Sequence, residues 1–288
     1  MPHLGLPALS RRAFSVSLFG AATVLRAQEP EMHWALLSDT HIPENPEDAY
    51  RGFRPVENLR KAIPMVLDAK PQGALICGDA ARLKGMPGDY QALKTLLDPV
   101  MSRMPVAIAL GNHDDRKNFL DVFGATQKGA QKVKNRHVLV IESPAVRFIV
   151  LDSLIQPNLT PGLLGKDQRT WLAQYLDTAP ALPTVLFVHH TPDDSDGSLL
   201  DIPRLMDIIR DRKSVKALVF GHSHRYAHLA WDGIQMINLP ALGYNFNDDE
   251  PVGWVDAVFT AKGASLTLRA IGGNKERDGK SVVLAWRA

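Results

Sequence analysis

The chain has 288 residues, 45% of them apolar, with 33 basic against 31 acidic side chains and a formal net charge of +2. That is enough material to bury one large core. It is too evenly charged for a nucleic-acid glove, which needs a concentrated basic face, and a single cysteine, Cys77, excludes an internal disulfide.

Residues 1–27 differ from the rest. Arg11 and Arg12 stand in "SRRAFS", the weakly apolar run Ala13–Leu25 follows, and small Ala27 closes the segment. This reads as a twin-arginine export leader. A weakly apolar run of thirteen residues is too short to span a bilayer, so no stable membrane span is expected after processing. The expected location is periplasmic or secreted. Removing the leader takes three of the 33 basic residues and no acid, which leaves a net charge of −1. Residues 28–288 then read as one domain, because no Pro/Gly/Ser-rich linker divides them.

Within that domain strands and helices alternate. Apolar runs predict strands over Trp34–Ser38, Ala74–Cys77, Val106–Leu110, His137–Ile141, Phe148–Leu151, Val185–Val188 and Ala217–Phe220. Helical spacing falls over Val56–Ala69, Tyr90–Arg103, Asp115–Phe123, Asp167–Asp177 and Ile202–Asp211. The strands are apolar without alternation, as in α/β sheets covered on both faces. After Gly221 the pattern becomes strands only, at Tyr226–Trp231, Ile234–Leu239, Trp254–Thr260 and Ser265–Ile271, and an antiparallel sheet is expected there.

Five of these strands end in the same chemistry. The first ends in "SDTH", giving Asp39 and His41. The second ends in "CGD", giving Asp79, and the third in "GNHD", giving Asn112, His113 and Asp114. The Val185–Val188 strand ends in His189 and His190, and the Ala217–Phe220 strand in "GHSH", giving His222 and His224. Carboxyl ends of neighbouring strands share one edge, where α/β sheets hold their sites. Hard oxygens with imidazoles and no thiolate suit Mn, Fe or Zn. Seven candidate ligands (Asp39, His41, Asp79, Asn112, His189, His222, His224) exceed the needs of one four-coordinate zinc and suit two ions. Asp39/His41 and His222/His224 are each two apart, which in extended chain would aim both members at one cavity. Glycines 78, 111 and 221 precede the ligands.

The ordered set D-x-H, G-D, G-N-H-D, H, G-H-x-H, running from Trp34 to His224, resembles the calcineurin-like metallophosphoesterase superfamily. On "SDTH", "HHTP" and the lack of a cap domain, the chain is most similar to its small cyclic-nucleotide-phosphodiesterase-like branch. The resemblance implies a single-domain four-layer α/β/β/α sandwich with two mixed β-sheets. It implies two divalent or trivalent transition-metal ions (Mn, Fe or Zn). Asp39, His41 and His224 would hold one, Asn112, His189 and His222 the other, and Asp79 would bridge. It makes His113 an outer-sphere catalytic histidine oriented by Asp114 and facing the phosphate, beside Asn112; His190, outside the family pattern, is read as a residue behind the ligands or facing the substrate. The implied activity is hydrolysis of a small phosphodiester by a metal-bridging hydroxide. A phosphomonoesterase and a metal-containing binding scaffold are the alternatives, no nucleic-acid partner is expected, and a homodimer is left open.

Other residues carry less. His190 reads equally as a surface or a near-site group, His228 as structural, and Arg82 and Lys84 as a solvated loop. Tyr244 and Asn245 are weaker candidates as substrate neighbours, and Asp193–Ser198, "DDSDGS", reads as a loop near the site. Purple acid phosphatases place a tyrosine three residues after the bridging aspartate. Here that position is Arg82, so no tyrosinate-to-iron colour is expected.

Overall fold

The computed structural model describes residues 29–288. The leader read over residues 1–27 lies outside them.

In chain order the strands are β1 (Glu31–Leu37), β2 (Gly73–Cys77), β3 (Val106–Ala109), β4 (Ala130–Gln131), β5 (Val138–Glu142), β6 (Arg147–Val150), β7 (Thr184–Phe187), β8 (Val215–Phe220), β9 (Ala227–Trp231), β10 (Ile234–Asn238), β11 (Pro251–Thr260), β12 (Gly263–Gly273) and β13 (Ser281–Ala285). The helices are α1 (Pro55–Ala69), α2 (Pro87–Met101), α3 (Arg116–Phe123), α4 (Lys166–Thr178) and α5 (Ile202–Ile209). One sheet has the order β13-β12-β11-β1-β2-β3 and the other β4-β5-β6-β7-β8-β10-β9. Both mix parallel and antiparallel pairs.

The continuous apolar strands have a direct cause. On β1, Trp34 and Leu36 point into the core between the sheets, while Ala35 and Leu37 point into the core under α1 and α2. On β7, Val185 and Phe187 face the other sheet, and Leu186 packs under α4 and α5. With both faces buried, neither parity of the strand is free to be polar. Two inter-sheet faces and two helix-covered faces make the expected four layers.

The C-terminal third departs from expectation. It is not one antiparallel sheet. β10 joins β8 in parallel and carries β9 at its edge, whereas β11 crosses over to pair antiparallel with β1. The largely buried β10 occupies an interior place, and exposed β9 takes the rim. Two strands went unseen in the sequence, β4 because it is two residues long and β13 because most of its side chains are exposed. Among the described residues no helix is long and apolar enough to cross a membrane.

Candidate metal centre

The carboxyl ends of β1, β2, β3, β7 and β8 converge where the two sheets meet. Backbone bonds lock the loops together. Asp39 N–H donates to Gly78 O at 3.0 Å, His41 N–H to Asp79 O at 2.9 Å, and Gly221 N–H to His189 O at 2.9 Å. The ligand candidates do not leave their strands in extended chain as expected. Asp39, His41, Asp79, His222 and His224 all have positive φ, between 47° and 69°. Left-handed backbone costs an L-residue about 1–2 kcal/mol. Five such residues in one site mark tight turns held by the surrounding structure.

Glycine is required where the loops touch. A Cβ on Gly111 would lie 2.5 Å from Asp79 N and 2.6 Å from His189 Cδ2. One on Gly221 would lie 2.5 Å from Asp39 Oδ2.

All seven predicted ligands except Asn112 fall into two clusters that could each hold an ion, Asp39–His41–His224 and Asp79–His189–His222. Asp79 lies between them, its Oδ2 3.3 Å from His189 Nε2 and 3.8 Å from His41 Nε2. A third overlapping group brings His113 to His41 and Asp79. Fit to metal rests on orphaned atoms. The buried His189 Nε2 and Asn112 Oδ1 have no hydrogen-bond partner in the protein, and a buried polar atom without a partner is costly. The opposite ring nitrogens are committed: His189 Nδ1 to Cys77 O at 2.8 Å and His224 Nδ1 to Tyr244 O at 2.6 Å. That commits each Nδ1 to a backbone carbonyl and turns each Nε2 toward the centre as the position for a metal. The donor set therefore fits hard or borderline divalent ions.

The electrostatics agree. Burial would raise the Asp39 and Asp79 carboxyls, yet the facing His224 and His189 imidazoles hold both far below the usual range. Burial pushes His41 down to about 3 and His222 down to about 4, so both are neutral donors. His189 opposes its own burial, because Asp79 and then Asp39 push it up to about 10. This concentration of perturbed groups in one cleft is what an active site produces.

Two expectations fail. Asp114 does not orient His113. Its buried carboxylate accepts from Gly111 N at 2.8 Å, Ala81 N at 3.1 Å, Ala80 N at 3.2 Å and Tyr90 Oη at 3.0 Å. It ties the turn after β2 to the turn after β3. Burial and the nearby Asp79 charge push it up to about 6. The partner of the His113 ring is the Leu83 carbonyl, to which Nδ1–H donates at 2.9 Å. The His113 backbone N–H, in turn, donates to Asp79 Oδ1 at 2.8 Å. His190 does not face the mouth. It is fully buried behind the ligands, its Nδ1 on Ser153 Oγ at 2.6 Å and its ring 4.9 Å from that of His222.

Among the lesser candidates, Tyr244 joins the site. Its ring stacks on His41 at 4.8 Å and packs tilted against His224, also at 4.8 Å. Asn245 instead braces its own loop on Glu250 O. Arg82 is half-buried, 5.8 Å from the Tyr50 ring, whereas Lys84 is exposed. His228 sits on the exposed β9, away from the cluster. Tyr50 and Phe246 were missed. Phe246 stands two residues after Tyr244 in "YNF", a spacing that could have drawn attention, but nothing near Tyr50 signalled its position.

A family model for calcineurin-like phosphoesterases matches residues 32–226, and the chain belongs to that family. Members use a dinuclear divalent metal centre, which accords with the two clusters here. One relative, named probable cyclic nucleotide phosphodiesterase RPA0124, from Rhodopseudomonas palustris, is 30% identical over 214 residues, covering 70% of this chain and 75% of its own. Glycerophosphodiester phosphodiesterase GpdQ of Enterobacter lignolyticus is 26% identical over 218 residues, covering 72% and 76%. The crystal structure of a dimetal phosphatase from Danio rerio superposes with a TM-score of 0.68 at 17% identity, over 89% of this chain and 99% of that one. At that identity the likeness concerns the fold alone.

Proposed function

We propose that this chain hydrolyses small phosphodiesters at the Asp79-centred site, after export through the twin-arginine route. The observation that carries the reading is Asp79, a member of the cluster with His189 and His222, reaching the other cluster as well: one of its oxygens lies 3.3 Å from His189 Nε2 and 3.8 Å from His41 Nε2. Asp39, His41 and His224 would hold one ion, His189, His222 and Asn112 the second, and Asp79 would touch both. Bound ions supply an acidified water and offset charge on the phosphoryl oxygens.

The chain's own residues do the rest. The carbonyls of Cys77 and Tyr244 keep the ligand imidazoles in one tautomer. Asp114 holds the turns that present Asp79 and Asn112. His113, with Nδ1–H spent on Leu83 O, has Nε2 free to give a proton to the departing ester oxygen when the ring is cationic. Diesters are favoured because no clamp of arginines for a dianionic monoester is present among the described site residues, and because several relatives are named phosphodiesterases. The experiment is a panel of paired mono- and diesters, with cyclic nucleotides and glycerophosphodiesters, on Mn-loaded protein. Faster turnover of monoesters would replace this reading with a phosphomonoesterase.

Arg11 and Arg12 ahead of the run Ala13–Leu25 support export. Changing both to lysine should retain the protein in the cytoplasm, read by cell fractionation. Unchanged localisation would remove the leader.

A further inference from the structure

One wall of the site is built of rings. Tyr244 is buried against His41 and His224. Tyr50 meets Tyr244 edge-on at 4.7 Å. Phe246 stacks on the His224 ring at 4.1 Å with an interplanar angle of 20°. Tyr50 is 43% exposed and Phe246 48%. The two come from different loops, joined by Arg51, whose Nη2 donates to Phe246 O at 2.7 Å. The Arg82 guanidinium stands 5.8 Å from the Tyr50 ring. Large apolar rings left half in water beside a charged cluster pay a hydration cost. Aromatic faces with a cation beside them form a stacking surface for another flat ring.

The wall opposite is different. By His222 the chain runs through Asp193, Ser195, Gly197 and Ser198, and a Cβ on Gly197 would lie 3.3 Å from His222 Nε2. Asp193 accepts from Ser195 N and from Ser198 Oγ. It offers carboxylate and hydroxyl but no ring. The site therefore has an aromatic side at His41/His224 and a polar side at His222.

We infer that Tyr50 and Phe246 form a stacking platform that selects phosphoesters carrying a planar aromatic substituent, a nucleobase, on the His41/His224 side. The inference rests on the phosphoester reading above and adds to it which substituent is recognised, by which residues and on which side. Base–aromatic stacking changes affinity by about 5- to 100-fold per base.

The test is calorimetric binding to the full-length, Mn-loaded chain of two ligands with the same phosphate, adenosine 5′-monophosphate and ribose 5-phosphate. The nucleotide should bind the wild type about tenfold or more tightly than the sugar phosphate. In Tyr50→Ala/Phe246→Ala that ratio should fall to about one to two, and Phe246→Tyr should preserve it. Binding of ribose 5-phosphate by the double variant reports an intact site, so misfolding is distinguished from loss of stacking. A wild-type ratio near one, or an unchanged ratio in the double variant, overturns the platform while leaving the phosphoester site standing. Failure of the wild type to bind either ligand while it still turns over diesters overturns the platform alone, and failure of both binding and diester turnover overturns both readings. A wild-type dimer that the double variant converts to monomer, read by sedimentation, would assign the two rings to a contact between copies and overturn the platform.

Discussion

Replacing Gly111 with alanine adds one methyl group at the tightest point of the site. The new Cβ would lie 2.5 Å from Asp79 N, 2.6 Å from His189 Cδ2 and closer still to Asp79 Oδ1. Carbon contacts relax at about 3.5 Å, so these groups must retreat by roughly 1 Å. The Asp79 nitrogen is backbone and cannot swing away. Asp79 would also lose the His113 N–H, now at 2.8 Å. Overpacking of this kind costs about 1–3 kcal/mol, which lowers Tm by about 3–10 °C in a domain of this size. The larger effect should fall on metal, because the displaced atoms belong to Asp79 and His189. The assay pairs calorimetric melting with metal analysis after dialysis against Mn. Alanine at 111 with wild-type Tm and full metal content would refute the argument that the loops meet without room for a side chain.

Asp114→Asn should lower Tm by about 10 °C, since a buried acceptor of four hydrogen bonds is replaced by a group that presents donors to donors, at about 3 kcal/mol. An unchanged Tm would return Asp114 to a role at His113. His113→Ala should keep the metal content and slow diesters with alkoxide leaving groups about 10²–10⁴-fold, with far less effect on nitrophenyl diesters; equal losses on both, from kcat/KM, would remove the proton-donor role. Apparent Mn affinity should rise with pH between 6 and 9. His189 is held protonated up to about 10 without metal, and that proton must leave before Nε2 can bind a cation. Affinity that is flat or falling over this range would contradict the ligand role of His189.

The ligand residues were legible because the chemistry is local. Each stands within a few residues of an apolar strand end, so strand recognition and residue type together locate Asp39, His41, Asp79, Asn112, His189, His222 and His224. The layered fold was legible because both parities of β1, β2, β7 and β8 are apolar, which only a doubly covered sheet requires. What escaped was set by long-range packing. The four donors to Asp114 come from three separate segments, and nothing in "GNHD" distinguishes a carboxylate facing His113 from one facing Tyr90. His190 follows His189 directly, yet the chain sends it inward to Ser153, 37 residues away. The left-handed backbone at five site residues was equally hidden: Gly78 and Gly221 mark turns beside Asp79 and His222, but residue type does not say which turn residues take positive φ. Tyr50 and Phe246 meet the site only because two distant loops fold against the same two histidines.

The most direct measurement is metal stoichiometry in the Asp79→Ala variant, beside activity on a cyclic nucleotide and a glycerophosphodiester. Wild-type chain dialysed against Mn should hold two ions and hydrolyse diesters. Asp79→Ala should weaken both ions together and abolish hydrolysis, because one carboxylate lies between both clusters. Retention of two ions in that variant, or loss of one with the other held at wild-type affinity, would contradict a site built around Asp79.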